Sequence, residues 1–211
     1  MITFKELQEK WLGSSKHKAQ GAEPLSNEEM HKIGNKLHDP QELSDIEKNH
    51  LSYYTGPGHL LVNDHLRGIR TFSDPDIHKD ISQISNAIGK HSTKHDVHVW
   101  RSYHDIKDLG LKKGDIFHDK GFVSTSLRNN HSSHIHTHIM HIKVPKGSNA
   151  MYLNQEKTSS YPDEHEVLLQ KGAKFKYHGA KTHEVPFPAD MRNPTRTMTI
   201  HRMTYLGSED S

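Results

Sequence analysis

The chain of 211 residues contains no cysteine. Disulfides, thiolate metal sites and a cysteine nucleophile are therefore excluded, while the compartment stays open, since exported and cytosolic proteins alike can lack this residue. Apolar residues are scarce as well: 31% of the chain is hydrophobic and its mean hydropathy is -0.88. No stretch approaches the roughly 18 consecutive apolar residues that a membrane-spanning helix needs, so no span is expected. Met1 to Trp11 alternates charged with apolar side chains, without the apolar core of a signal peptide. An excess of one charge is missing too. The formal net charge of +2 argues neither for nor against a nucleic-acid partner. What is plentiful is histidine, 21 residues, about a tenth of the chain.

The length suits one sizeable domain, and the pattern changes near residue 95. Residues 1–95 are expected to be mainly helical and 96–211 mainly β, within a single domain. Ser26-Asn27-Glu28-Glu29 precedes Met30, Ile33 and Leu37 as a helix cap with acids in the first turn. Ser44-Asp45-Ile46-Glu47 forms a capping box before Leu51. A helical pattern resumes after Gly56-Pro57-Gly58, through Leu60 to Arg67. Ile77, Ile81, Ile84 and Ile88 mark one buried helix face. Beyond residue 95 the period shortens to two, as in Val97 with Val99, Ile142 with Val144 and Phe175 with Tyr177. Gly114-Asp115, Pro145-Lys146-Gly147 and Lys171-Gly172 punctuate the strands. Residues 13–24 read as a mobile arm. The segment 179–197, with three prolines, reads as a long connection before a last strand, Met198 to Leu206. Helices followed by strands indicate an α+β fold, not an alternating parallel sheet.

One constellation carries chemistry. Glu164 and Glu166 flank His165 at the mouth of the apolar run Val167-Leu168-Leu169. If that run is a strand, the two carboxylates share a face, where like charges repel and stability gives no reason to place them. Upstream, Arg101 closes one predicted strand and Ser124-Thr125-Ser126 occupies another. Read alone, each has an ordinary explanation: solvated acids on an edge strand, a strand-end arginine, strand hydroxyls.

Taken in order, Val99-Trp100-Arg101, Gly121-Phe122-Val123-Ser124-Thr125-Ser126-Leu127 and Glu164-His165-Glu166-Val167-Leu168-Leu169 resemble the arginine, serine-threonine-serine, glutamate class of mono-ADP-ribosyltransferases. That class includes the enzymatic components of binary toxins and related bacterial and phage effectors. Tyr53-Tyr54-Thr55-Gly56, Val62-Asn63 and Leu66-Arg67 resemble the helical segment that covers the nucleotide there, and the similarity spans about residues 45–206. The resemblance implies N-terminal helices covering a core of two packed, mostly antiparallel sheets, with NAD in the cleft between them, consumed as co-substrate without a metal. It implies a soluble monomeric enzyme acting in the cytosol of a host or target cell.

By this resemblance Glu166 holds the ribose and stabilises the oxocarbenium-like state as the nicotinamide bond breaks. Ser124 fixes the Glu166 rotamer, and Thr125 and Ser126 brace the sheet. Arg101 takes the pyrophosphate, which suits the planar fork of a guanidinium. Tyr54, Asn63, Arg67, Ser102 and Arg128 complete the cofactor-binding set. Ser102 stands where relatives often carry a second arginine or a glycine, implying one phosphate contact fewer. Glu164 orients and deprotonates the acceptor, with Tyr161 recognising it by stacking on a guanidinium. Glutamate at the first motif position goes with arginine acceptors, so the implied activity is transfer of ADP-ribose from NAD to arginine of a target protein. His165 is placed to tune the two acids. An NAD glycohydrolase on the same fold is the alternative. A histidine-rich metal-binding module is another, since His134, His136 and His138 would share one strand face beside His131 and His141.

Overall fold

The computed structural model describes residues 26–73, 75–103, 106, 109–128, 137–153, 158–159, 162–186 and 195–209. Residues 13–24, expected as an arm, lie outside them. Helix α1, Asn27–Asn35, and helix α2, Asp45–Tyr53, both open on capping boxes, the one at Ser44 as expected and the one at Ser26 where only a cap was expected. Ser44 receives the Glu47 amide on its hydroxyl at 3.2 Å and donates its own amide to the Glu47 carboxylate at 2.8 Å, satisfying two end donors that a helix leaves open. The Gly56-Pro57 step does not end the helical path. One π turn, Tyr54–Gly58, carries α2 into α3, His59–Arg67, with Gly56 taking the non-helical angles. Helix α4, Pro75–Gly89, buries Ile77, Ile84 and Ile88 as their spacing requires.

The strands are β1 (Val97–Ser102), β2 (Ile116–Asp119), β3 (Val123–Ser126), β4 (His138–Val144), β5 (Ala150–Leu153), β6 (Glu166–Leu169), β7 (Ala173–Pro186) and β8 (Thr195–Ser208). They are hydrogen-bonded in the order β2-β7-β8-β4-β1-β3-β6-β5, and only β4 and β8 run parallel. They form one continuous sheet where two were expected, its two halves standing where the separate sheets were placed. A single registered pair, Trp100 with Ser126, joins β1 to β3. Across that pinch the halves close over one core, in which Val97, Val99, Ile142, Phe175 and Tyr205 pack with Val123, Val167, Leu169 and Tyr152. The opposite face of β3, β6 and β5 carries Met151, Leu153 and Leu168 and is covered by α2, α3 and α4.

One stretch departs from the sequence reading. Residues 179–186 continue β7, paired from Ala180 with His201 to Pro186 with Thr195, so the expected long connection is largely a hairpin arm and β8 starts before Met198. Gly179-Ala180-Lys181-Thr182-His183-Glu184 shows no apolar alternation because its ladder projects from the core. Its backbone ladder to β8 holds it, with the Thr182 and Thr199 hydroxyls 3.5 Å apart across the pair.

Candidate active site

Glu166 begins β6 and is buried. The β3–β6 register places Ser126 opposite Glu166 and Ser124 opposite Leu168, so Ser124 and Glu166 project from one face while Thr125 and Val167 face the core. The Ser124 hydroxyl is hydrogen-bonded to the Glu166 carboxyl and to the Tyr54 phenol. Thr125 turns inward and donates to the Val167 carbonyl at 2.6 Å. Arg101, at the end of β1, donates to the Ser124 carbonyl at 3.2 Å, and its guanidinium lies 5.8 Å from the Tyr103 ring centre. Burial pushes the Glu166 carboxyl up to about 7. The Ser124 hydrogen bond and the Arg101 charge pull against that, and the Glu164 charge adds to it.

Glu164 and Glu166 do not share a strand face, which corrects the sequence expectation. Glu164 closes a 3-10 turn, Pro162–Glu164, and is exposed, while His165 between them takes a φ of 50°. That left-handed residue rotates the chain, so one acid faces solvent and the other the interior. The turn is tied to the end of β3: Ser126 donates to the Glu164 carbonyl at 2.6 Å, and the Leu127 amide donates to the His165 carbonyl at 3.0 Å.

His165 does not tune the acids either. Its fully buried ring points toward α1, with Nδ1 3.0 Å from the Tyr152 hydroxyl, Nε2 3.4 Å from Asn27 Oδ1, and His31 4.5 Å away. Burial pushes its imidazole down to about 4, helped by the His31 and Arg128 charges, so it is neutral at neutral pH. The Arg128 guanidinium also reaches Asn27.

The helical residues form a second tier. Tyr54 is fully buried, and burial pushes its phenol up to about 12. Asn63 donates to the Tyr54 hydroxyl at 3.0 Å and accepts the Phe122 amide at 2.9 Å. Arg67 clasps the buried Asp119 with two bonds of 2.9 Å, and Asp119 also accepts the Gly121 amide at 3.0 Å. A Cβ on Gly121 would lie 2.6 Å from Asn63 Oδ1 and 3.0 Å from Arg67 Nη2, so this close approach of α3 to the chain entering β3 requires glycine. The polar groups of Tyr54 and Asn63 are thus engaged internally.

The structure therefore gathers Tyr54, Asn63, Arg101, Ser124 and Glu166 into one continuous network, with Arg67 behind it and Glu164 at its solvent edge. Ser102 ends β1 opposite Ile139, and Tyr161 lies outside the described residues. Asp119, Gly121, Asn27 and Tyr152 were not singled out from sequence. Of the proposed metal face, His131, His134 and His136 lie outside the described residues. His138 is 2.9 Å from His201, and His141 is 2.9 Å from His98. Among the described residues no group of three or more metal-ligating side chains occurs.

The sequence profile of the family described as ADP-ribosyltransferase exoenzyme matches residues 22–200. Among solved structures, Plx2a, an ADP-ribosyltransferase toxin from Paenibacillus larvae, is 24% identical, with a TM-score of 0.71 over 87% of this chain and 98% of its own. C3stau2 from S. aureus, solved with NAD, is 20% identical with a TM-score of 0.68, covering 84% of this chain and 94% of its own. BECa, an ADP-ribosylating toxin of a C. perfringens binary enterotoxin solved with NADH, is 23% identical with a TM-score of 0.69, over 84% of this chain and 48% of BECa. At these identities the likeness is one of fold. Among curated proteins no sequence matches.

Proposed function

The chain belongs to the ADP-ribosyltransferase exoenzyme family, and from that premise we propose that it transfers ADP-ribose from NAD to an arginine of a target protein and releases nicotinamide. The observation that carries this is the division of the two glutamates: Glu166 buried beside Ser124 and Arg101, Glu164 exposed one left-handed residue away. The bond between the ribose anomeric carbon and the nicotinamide nitrogen breaks, its electron pair leaving with nicotinamide, and positive charge develops on the sugar. Ionised Glu166 stabilises that charge more in the transition state than in the ground state. The cationic nicotinamide ring of NAD favours the ionised form of a carboxyl that burial otherwise holds up to about 7. Arg101 supplies a planar fork for the pyrophosphate. Tyr54 and Asn63 serve as struts that set Ser124 and the chain entering β3, and Arg67 acts through Asp119.

Glu164, open to solvent, accepts a proton from the incoming guanidinium as its nitrogen bonds to the anomeric carbon. A carboxylate pairs with a guanidinium where an amide cannot, which favours arginine as acceptor. The protein works as a monomer on a target inside a host or target cell. No described helix is long and apolar enough to cross a membrane. The test is incubation with labelled NAD and an arginine-rich acceptor, following free nicotinamide and protein-bound label together. Arginine-linked label supports the reading. Nicotinamide release without protein label would make the enzyme a glycohydrolase, and no consumption of NAD would overturn the proposal.

A further inference from the structure

On the outer surface of the first half-sheet, four adjacent strands and one loop line a cavity of about 440 Å³. Six of its eight lining residues are basic: His98 from β1, His141 and Lys143 from β4, Arg202 from β8, His178 from β7 and Lys113 from the loop before β2, with Met203 and Thr204 of β8 completing the wall. In a chain with a formal net charge of only +2, this is a local concentration of positive charge. One acid answers it, Asp96, which pairs with Lys143 at 2.6 Å. Among the described residues neither Arg202 nor Lys113 takes part in an ion pair. The cavity is separate from the candidate active site, because His98 and Arg101 stand three residues apart on β1 and so project from opposite faces.

We propose that this cavity is a second binding site, taking an anion that carries at least two phosphate groups. The extent of the row decides the size of the ligand. From β1 to β7 it crosses three inter-strand gaps, about 14 Å, too far for one phosphate to reach every cation. The chemistry decides its class. Arginine and lysine together match phosphate oxygens, and each imidazole can add a donor. His98 Nδ1 lies 2.9 Å from His141 Nε2, so one ring donates to the other and the pair holds a fixed orientation. Burial, and then the Lys143 charge, hold the His98 imidazole below its usual range, an opposition that a bound anion relieves. A metal is disfavoured, since the described residues offer no group of three ligating side chains.

The fold supplies its own reporter. The indole of Trp100 is stacked on His141, with ring centres 4.1 Å apart and planes within 7°. The chain has two tryptophans, so a Trp11→Phe background leaves Trp100 as the sole emitter. In that background, titration with sodium tripolyphosphate is expected to change Trp100 emission saturably, with orthophosphate binding at least about tenfold more weakly for want of a second contact. The pair Lys113→Glu and Arg202→Glu should weaken tripolyphosphate binding by at least about tenfold while leaving NAD consumption unchanged. Arg101→Ala should leave the titration as it was, which separates this cavity from the NAD cleft. Co-sedimentation with vesicles containing a bisphosphorylated inositol lipid would assign the site to a headgroup, and tripolyphosphate binding without it to a soluble polyphosphate. Equal binding of tripolyphosphate and orthophosphate, affinity unchanged by the double reversal, or no emission change at millimolar anion would overturn the proposal. The emission titrations and the co-sedimentation do not depend on the proposed transferase activity, so their failure and its failure are distinguishable.

Discussion

The hydroxyl of Tyr152, on strand β5, is 3.0 Å from Nδ1 of His165, the residue between the two glutamates. The same hydroxyl is 2.9 Å from Nδ1 of His31 on helix α1. Helix α1 is thereby fastened to the turn that sends Glu164 outward and Glu166 inward. Gly34 makes the fit possible, since a Cβ there would lie 2.1 Å from the Tyr152 ring.

From this clasp we expect Tyr152→Phe to destabilise the fold by about 1–3 kcal/mol, because the buried His165 ring and the half-buried His31 ring each lose a partner. His165→Asn and His165→Ile both remove the ring, but only asparagine tolerates the left-handed backbone. Isoleucine should cost at least about 1 kcal/mol more. Urea denaturation of the three variants checks this, and equal stability of the two His165 variants would show that the positive φ is unimportant.

The Arg67–Asp119 clasp leads to a second expectation. Asp119→Asn leaves a half-buried guanidinium without its counter-ion and should cost about 2–4 kcal/mol, toward the low side because Arg67 retains some solvent. Gly121→Ala should destabilise by about 1–3 kcal/mol through the clash with Asn63 and lower NAD turnover by displacing the chain that enters Ser124. Thermal melts alongside nicotinamide release test both, and a Gly121→Ala enzyme with parental stability and turnover would refute the close-approach argument.

Glu166→Gln should abolish both NAD hydrolysis and transfer, a loss of roughly 100- to 1000-fold, while the protein remains folded. Nicotinamide release near the parental rate in a correctly folded variant would remove Glu166 from the chemistry.

The raised Glu166 pKa has a sign for both activity and stability. Because ionisation is required, kcat/KM for NAD should rise with pH through a midpoint near 7, the value that burial, Ser124, Glu164 and Arg101 together set for Glu166 in the empty protein. Glu164→Gln should move the midpoint down, since the Glu164 charge adds to the upward shift. For stability, a folded pKa above the unfolded one means that the favourable contribution is complete below about 4.5 and lost as pH rises through about 7. Glu166→Gln should therefore gain stability relative to the parent as pH increases across that window, read by melts at fixed ionic strength. A pH-independent difference would contradict the burial of Glu166.

Glu164→Gln should lose arginine modification while retaining most NAD glycohydrolase activity, since water needs less help as a nucleophile than a protonated guanidinium. The measurement is label incorporated into protein against nicotinamide released. Proportional loss of both would mean that the two glutamates act as one unit.

Much of this protein is written in short-range pattern. The capping serines, the isoleucine spacing of α4, the alternation in β1 and β4 and the turns at Gly114, Gly147 and Gly172 depend on neighbours a few residues away, and each was readable. The order of arginine, serine-threonine-serine and paired glutamates was readable too, as residue types strung along the chain. The sequence determined these features because helix caps, strand period and turn conformation are local properties of the chain. Only the tertiary structure decided that Arg67 meets Asp119, 52 residues away, and that Tyr152 joins His31 to His165. It alone showed that His165 turns left-handed and separates the two acids, and that the polar segment 179–186 is strand. Backbone hydrogen bonds and buried polar contacts carry no composition signal of their own. Their partners are chosen by how distant elements pack, and that choice settles which face each side chain reaches.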